Sequence, residues 1–283
     1  MQFDTSESPD VNVDVSSPLA KYAAQYWIIH ANSGSKTEFQ SSSIFGLMMK
    51  LLTKENTAFV NWVRLHDIDN FSVFNWQKRK VGIAKPLYYA SLAGLTEATH
   101  ALLEMKVDVN AQGGEYGNAL QAALMGGHEA IAKLLIENGA DVNAQGGFYG
   151  NALQAASHQG CEEMAKLLIK NGANVNAQGG DCGTALLAAL EEGHVAIAKL
   201  LIENEVDVNA QAYTRHPLYI AVTMGCEAIA KLLIEKGADV NAQGGFYGNA
   251  LQAASYEGHE AIAKLLIENG ADGLWKCTPG SII

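Results

Sequence analysis

Residues 143 to 157 read NAQGGFYGNALQAAS, and residues 241 to 255 repeat the same letters in the same order. Three relatives of this stretch lie around it: NAQGGEYGNALQAAL from Asn110, NAQGGDCGTALLAAL from Asn176 and, one residue shorter, NAQAYTRHPLYIAV from Asn209. The leading asparagines fall at Asn110, Asn143, Asn176, Asn209 and Asn241, a period of 33 that drops to 32 at the short unit. A second marker, the leucine that opens each short apolar run, falls at Leu87, Leu120, Leu153, Leu186, Leu218 and Leu251 and adds a unit at the front. Six copies of one supersecondary unit are therefore expected, and every other motif has to be read against that repetition.

Each unit carries its own helix signals. Asn118, Asn151, Thr184 and Asn249 precede an Ala-Leu pair, where a side-chain oxygen can satisfy the free N–H groups of a helix start. Two units place Lys85-Pro86 or His216-Pro217 in the same slot, with proline in the first turn. The first helix runs through small residues and stops at Gly127, Gly160, Gly193, Gly225 or Gly258. A second, more apolar helix follows, such as EAIAKLLIENG, with Ile131, Leu134 and Leu135 expected on the buried side and Lys133 paired outward with Glu137. Gly139, Gly172, Gly237 and Gly270 stand where a left-handed residue closes a helix. The Gly-Gly pairs that follow shape a tip between units. One helix pair cannot bury its apolar face alone, so the pairs must stack.

These units resemble ankyrin repeats, in their 33-residue period, the helix-opening Leu, the Gly-His before the second helix (Gly127-His128, Gly193-His194, Gly258-His259) and the closing GADVNA. The usual Thr-Pro-Leu-His is Asn-Ala-Leu-Gln in three units, and Asn caps as well as Thr does. The fold class expected is all-α, an ankyrin-repeat solenoid of helix pairs with β-hairpin-like loops, preceded by a small helical segment. The domain division expected is an acidic disordered tail at 1–16, a helical segment and linker at 17–80, the array at 81–272 and a tail at 273–283. In the front segment, Leu19, Tyr22, Ala23, Tyr26, Trp27 and His30 share a helical face, and further helices are expected around 44–52 and 57–66. The stretches PLAKYAAQYWIIHA, AFVNWVRLHD and PLYYASLAGL look like the segment that joins the nucleotide-binding core of fungal NACHT-type receptors to their ankyrin arrays.

No catalytic, cofactor or metal site is expected from the motifs of the sequence. In GSKT, Gly34, Lys36 and Thr37 lack the spacing of a phosphate loop, since position 29 is Ile and Ser35 separates Gly34 from Lys36. His128-Glu129 and His259-Glu260 open like a zinc-protease motif, but Ala132 and Ala263 occupy the place of its second His. His128, Cys161, His194, Cys226 and His259 share one slot in successive units. Stacked helices stand about 8–10 Å apart and zinc ligands about 2.0–2.3 Å from their metal, so these residues are expected to pack turns.

The full chain has a net charge of -11, with eight acidic and eight basic side chains in residues 1–81 against twenty-two and ten in residues 82–272. Nucleic-acid binding draws on Lys and Arg neutralising phosphates, which this array does not offer. No run approaches the roughly 18 apolar residues of a membrane span. The start of the chain has no basic n-region or apolar core of a secretory signal, and the four cysteines show no paired spacing. An intracellular, cytoplasmic setting is expected, with the nucleus left open.

In the family that these units resemble, the tips and the exposed ends of the first helices line a concave binding face. Carried onto this chain, the tips supply Glu115, Tyr116, Phe148, Tyr149, Asp181, Cys182, Tyr213, Arg215, Phe246 and Tyr247, and the helix ends Met125, His158, Gln159, Glu191, Glu192, Met224, Tyr256 and Glu257. Aromatic residues and Arg are favoured anchors, which singles out Phe148, Tyr149, Tyr213, Arg215, Phe246 and Tyr247. The expected function is non-catalytic: recognition or scaffolding of another protein with a basic or mixed-charge surface. The last apolar helix, followed only by GLWKCTPGSII, offers Leu274 and Trp275 as a cover or a face for weak end-to-end self-association.

Overall fold

The computed structural model describes residues 84–272, together with Gly46, Met49 and Leu52, which are helical and fall in the helix expected around 44–52. The remaining expectations at 1–83 and 273–283, among them the acidic tail, the GSKT loop, the 57–66 helix and Trp275, lie outside the described residues. The chain divides into two compact units, Met1–Phe148 and Tyr149–Ile283.

The first unit holds α1 (Pro86–Leu92), α2 (Thr96–Glu104), α3 (Ala119–Met125) and α4 (Glu129–Glu137). The second holds α5 (Ala152–Gln159), α6 (Glu162–Lys170), α7 (Ala185–Glu191), α8 (Val195–Glu203), α9 (Pro217–Thr223), α10 (Glu227–Glu235), α11 (Ala250–Glu257) and α12 (Glu260–Glu268). Short first helices alternate with second helices of nine residues. Within the first unit α1 packs on α3 and α2 on α4; within the second, α5, α7, α9 and α11 form one layer and α6, α8, α10 and α12 the other.

The first helices start where their caps dictate. The side-chain oxygens of Asn118, Asn151, Thr184 and Asn249 accept from the backbone N–H three residues on, at 3.0, 2.9, 3.2 and 2.9 Å. All four caps are at most 4% exposed, so each also removes a buried orphan donor and contributes about 0.5–2 kcal/mol. Pro86 and Pro217 occupy the first turn of α1 and α9. Small side chains such as Ala122, Ala123, Ala155, Ala156, Ala188 and Ala189 are buried in the layer of first helices and let the helices approach closely.

The second helices differ from expectation in two details. In α4 the core face is Ile131, Ala132 and Leu135, and Leu134 is only half-buried. At 100° per residue the face is centred between positions 131, 135 and 132, which leaves 134 on its flank. Lys133 pairs not with Glu137 but with Glu129, at 3.9 Å. Glu one turn before Lys is the order that suits the helix dipole, and Lys166 follows it with Glu162 at 2.7 Å.

Asparagine makes the link between successive units, a role hidden behind its use as a period marker. The Asn209 side-chain amide donates to Gly237 O at 3.0 Å while its oxygen accepts from Asp239 N at 2.8 Å. Asn110, Asn176 and Asn241 make the same two bonds 29 and 31 residues ahead. The amide thus satisfies a helix-end carbonyl and a turn N–H together, which no residue without both a donor and an acceptor could do.

Candidate functional site

The tips that were expected to carry function are built by their glycines. Gly113 N donates to Gly117 O at 2.8 Å, Gly179 N to Gly183 O at 3.0 Å and Gly244 N to Gly248 O at 2.8 Å, closing three tips in the same way. In the shorter unit the missing residue forces a two-residue loop, with Ala212 and Arg215 exchanging backbone bonds at 3.2 and 3.0 Å. Such loops demand a positive φ, and Tyr213 supplies it at +57°.

Neighbouring tips are tied together through the fourth position of the first-helix motif. In the first unit the Gln121 amide donates to Ala144 O at 3.1 Å, and Tyr116 N donates to the Tyr88 hydroxyl at 3.3 Å. In the second, the Gln154 amide donates to Gly179 O and Gly183 O, both at 2.9 Å, and Tyr247 N to the Tyr219 hydroxyl at 3.2 Å. In the sequence this position stands out only as a difference from the family motif. The signal was its polar character in a helix otherwise made of buried apolar residues, where a long amide or phenol needs a partner.

The shared His/Cys slot packs turns, as expected. His128 Nε2 donates to Leu92 O at 3.1 Å, and His194 Nε2 to His158 O at 3.0 Å. Each ring lies over a glycine of the preceding unit: a Cβ placed on Gly94 would stand 2.5 Å from His128, and one on Gly160 2.6 Å from His194. Burial lowers the pKa of His128, opposed in part by the bond to Leu92.

In the first unit, Glu115 and Phe148 are exposed and Tyr116 and Met125 half-exposed. Phe148 N donates to Glu115 O at 2.9 Å, joining the two tips.

In the second unit the candidates divide. Tyr149, expected as an anchor, is only 7% exposed, with its ring edge-on to His158 at 4.7 Å. Cys182, its counterpart one unit on, is also buried, and burial, then the carboxylates of Glu191 and Asp181, push its thiol up to about 11. Both pack inward and do not offer a contact surface. His158 is half-buried and lies 3.8 Å from Glu192. Arg215 is half-buried: its guanidinium pairs with Glu191, donates to Asp181 O at 3.0 Å and sits 5.3 Å from the centre of the Tyr213 ring. Its charge is answered within the chain.

What stays open is aromatic and acidic. Tyr213 is 75% exposed, Phe246 91%, Tyr256 74% and Met224 50%. Phe246 meets Tyr247 edge-on at 5.1 Å, and Tyr247 stacks at a tilt on Tyr256 at 4.5 Å. The Tyr247 hydroxyl donates to Glu257 at 2.8 Å, and that bond pushes its phenol up to about 12. Gln159, Asp181, Glu192 and Glu257 are exposed on the same tips and helix ends, and Glu191 is half-buried and paired with Arg215. Every lysine of residues 149–272 lies on a second helix or its C-cap, so the layer of tips and first helices carries Arg215 as its one Lys or Arg.

Among the described residues no helix is long and apolar enough to cross a membrane. Comparison with known proteins places the architecture. The family model described as "Ankyrin repeats (3 copies)" matches residues 49–146, 87–179 and 153–244, and that described as "Ankyrin repeat" matches 249–275. Among solved structures, the ankyrin repeat domain of Bcl-3, described as a unique member of the IkappaB protein family, is similar with a TM-score of 0.57 and 26% identity, covering 66% of this chain and 87% of that one. The human ASB11 ankyrin repeat domain gives 0.55 and 29%, covering 66% and 85%. A curated protein, the azaphilone pigments biosynthesis cluster protein L of Monascus ruber, is 40% identical over 131 residues, which are 41% of this chain and 26% of that protein. The chain thus spans about a quarter of the length of that relative. With matches across well over half its length and six helix pairs in register, the chain belongs to the ankyrin-repeat family.

Proposed function

We propose that residues 149–272 recognise a partner protein through the tips and the ends of the first helices, without catalysis. The observation that carries this reading is the exposure of Tyr213, Phe246 and Tyr256 on one layer of the second unit. Aromatic side chains bring large contact area with little rotamer entropy and dominate interface energetics. Met224 adds an adaptable apolar contact, Asp181, Glu192 and Glu257 supply exposed carboxylates, and Gln159 adds an exposed amide. The partner fits as a basic or mixed-charge surface, because residues 149–272 hold fifteen acidic against seven basic side chains and the lysines stand in the other layer. In the first unit, taken by itself, Glu115, Tyr116 and Phe148 at the tips and Met125 at a helix end are candidate contacts.

The role consistent with such a face is a recognition or scaffold element, working as the sensor arm of a NACHT-type receptor or as a free-standing adaptor or competitor. Affinity purification with the chain and with a Tyr213→Ala, Phe246→Ala, Tyr256→Ala variant tests the reading. Loss of specific partners in the variant supports it, and an unchanged set of partners contradicts it.

A second reading concerns self-association. In α12, the last second helix among the described residues, Ile267 is 60% exposed, whereas its counterpart Ile202 in α8 is 1% exposed. A weak end-to-end dimer would cover it. Sedimentation equilibrium at millimolar chain concentration detects such a dimer, and a strict monomer there removes this reading.

A further inference from the structure

The chain contains a worked example of how its tip layer receives a guanidinium. In the unit that begins at Asn176, a slot lies between the tip and the end of α7. Arg215 of the following tip enters it, pairs with Glu191 at the helix end, donates to the tip carbonyl of Asp181 and carries Tyr213 against its own charge. Adding 65 to each number gives the equivalent positions in the unit that begins at Asn241. Asp181 becomes Phe246, Cys182 becomes Tyr247, Glu191 becomes Tyr256 and Glu192 becomes Glu257.

The slot is therefore rebuilt in the last described unit with aromatic walls and its acid moved by one residue. Phe246 and Tyr256 expose most of their surface. Tyr247 is wedged against both rings and fixes Glu257 through one carboxylate oxygen, Oε1. The second oxygen of Glu257 remains a site for a charged donor. The tip itself is held in place: Gly245 N donates to Thr214 O at 2.8 Å and the His216 ring to Gln243 O at 2.9 Å. A pre-positioned aromatic pair with an adjacent carboxylate suits a flat cation that stacks and forks at once. That describes arginine better than lysine.

We propose that the slot formed by Phe246, Tyr247, Tyr256 and Glu257 receives an arginine side chain of the partner polypeptide, in the manner in which Arg215 fills the Asp181–Glu191 slot. This rests on the partner-binding reading given above. The charge of the unit favours it, since fifteen acidic side chains face seven basic ones in residues 149–272. The guanidinium would stack on the exposed Tyr256 or Phe246 ring and donate to the Glu257 carboxylate.

The test begins with a random dodecapeptide library displayed on phage, selected on the full chain and counter-selected on the Phe246→Ala, Tyr256→Ala variant. Both positions are largely exposed, and far-UV circular dichroism checks that the variant keeps its helix content. Recovered peptides are synthesised with each arginine in turn replaced by citrulline, which keeps the shape and removes the charge. The proposal expects a fixed arginine in the recovered sequences, whose replacement weakens binding by about tenfold on the wild-type chain. On the Glu257→Gln chain the same replacement should cost at least about threefold less than on the wild-type chain, because the carboxylate partner of the charge is gone and only the ring faces remain, and an undiminished cost there would overturn the role of Glu257. Peptides that depend on Phe246 and Tyr256 yet tolerate citrulline everywhere would overturn the arginine assignment and leave the binding face standing. A selection yielding no peptide that distinguishes the two chains would overturn both.

Discussion

Replacing Gly160 by alanine should destabilise the second unit far more than the same change at Gly193, although the two glycines end equivalent helices with the same backbone. Their φ angles are +75° and +74°. An alanine in the left-handed region costs roughly 1–2 kcal/mol at either site. The surroundings differ because the His/Cys slot of the next unit holds His194 over Gly160 but Cys226 beyond Gly193. A Cβ on Gly160 would stand 2.6 Å from the His194 ring, with that ring held by its bond to His158 O. A Cβ on Gly193 would meet nothing nearer than the end of Met224 at 3.8 Å. Overpacking of a fixed ring adds about 1–3 kcal/mol, so Gly160→Ala should cost about 2–5 kcal/mol and Gly193→Ala about 1–2 kcal/mol. Urea unfolding followed by circular dichroism at 222 nm measures both. The double variant Gly160→Ala, His194→Ala should lose less than the sum of its parts, because the clash is gone. Costs equal within about 0.5 kcal/mol for the two glycine variants would refute the claim that these histidines close the stack by sitting on the glycines.

Asn209→Ala removes two inter-unit hydrogen bonds at once and should lower stability by about 1–3 kcal/mol at the exposed ladder, with Asn209→Asp recovering only the acceptor half; urea midpoints report both. Cys182, buried and with its thiol pushed up to about 11, should react with iodoacetamide at pH 8 at least about tenfold more slowly than the half-buried Cys161 and Cys226, as peptide mass spectrometry of timed samples would show. The pKa of His128 is lowered in the folded chain, so the unfolded chain takes up its proton first as pH falls. The stability tied to this ring is present above an unfolded pKa of about 6.5 and is lost as pH falls through the lower folded value. A His128→Asn variant should accordingly show a flatter decline of urea midpoint between pH 7.5 and 5 than the wild-type chain.

Much of the fold was legible because its rules are local. The period, the caps at Asn118, Asn151, Thr184 and Asn249, the prolines at Pro86 and Pro217 and the left-handed glycines each follow from backbone chemistry within a few residues. Side-chain exposure was less legible. Residues 143–157 and 241–255 are identical, yet Phe148 is 45% exposed and Phe246 91%, while Tyr149 is buried against His158 and Tyr247 half-exposed beside Tyr256. In a repeat protein the environment of a side chain comes from its neighbours along the stack, and a local pattern does not carry them. The same limit hid the bridging asparagines, whose partners stand 28 to 31 residues away, and the Arg215–Glu191 pair, which joins a tip to the end of the preceding first helix. The partner of Lys133 differs from expectation for a simpler reason: Glu129 and Glu137 both lie one turn away, and the order that suits the helix dipole favours Glu129.

The central claim is that the aromatic and acidic layer of tips and first-helix ends, and not the lysine-bearing layer of second helices, holds the partner. Titration calorimetry of one recovered partner against two triple variants tests it directly. Tyr213→Ala, Phe246→Ala, Tyr256→Ala should weaken binding at least about a hundredfold, since interface aromatics commonly cost more than about 1 kcal/mol each. Lys199→Ala, Lys231→Ala, Lys264→Ala should change it by less than about threefold, as groups outside a contact do. An unaltered affinity in the first variant, or an equal loss in the second, would contradict the account.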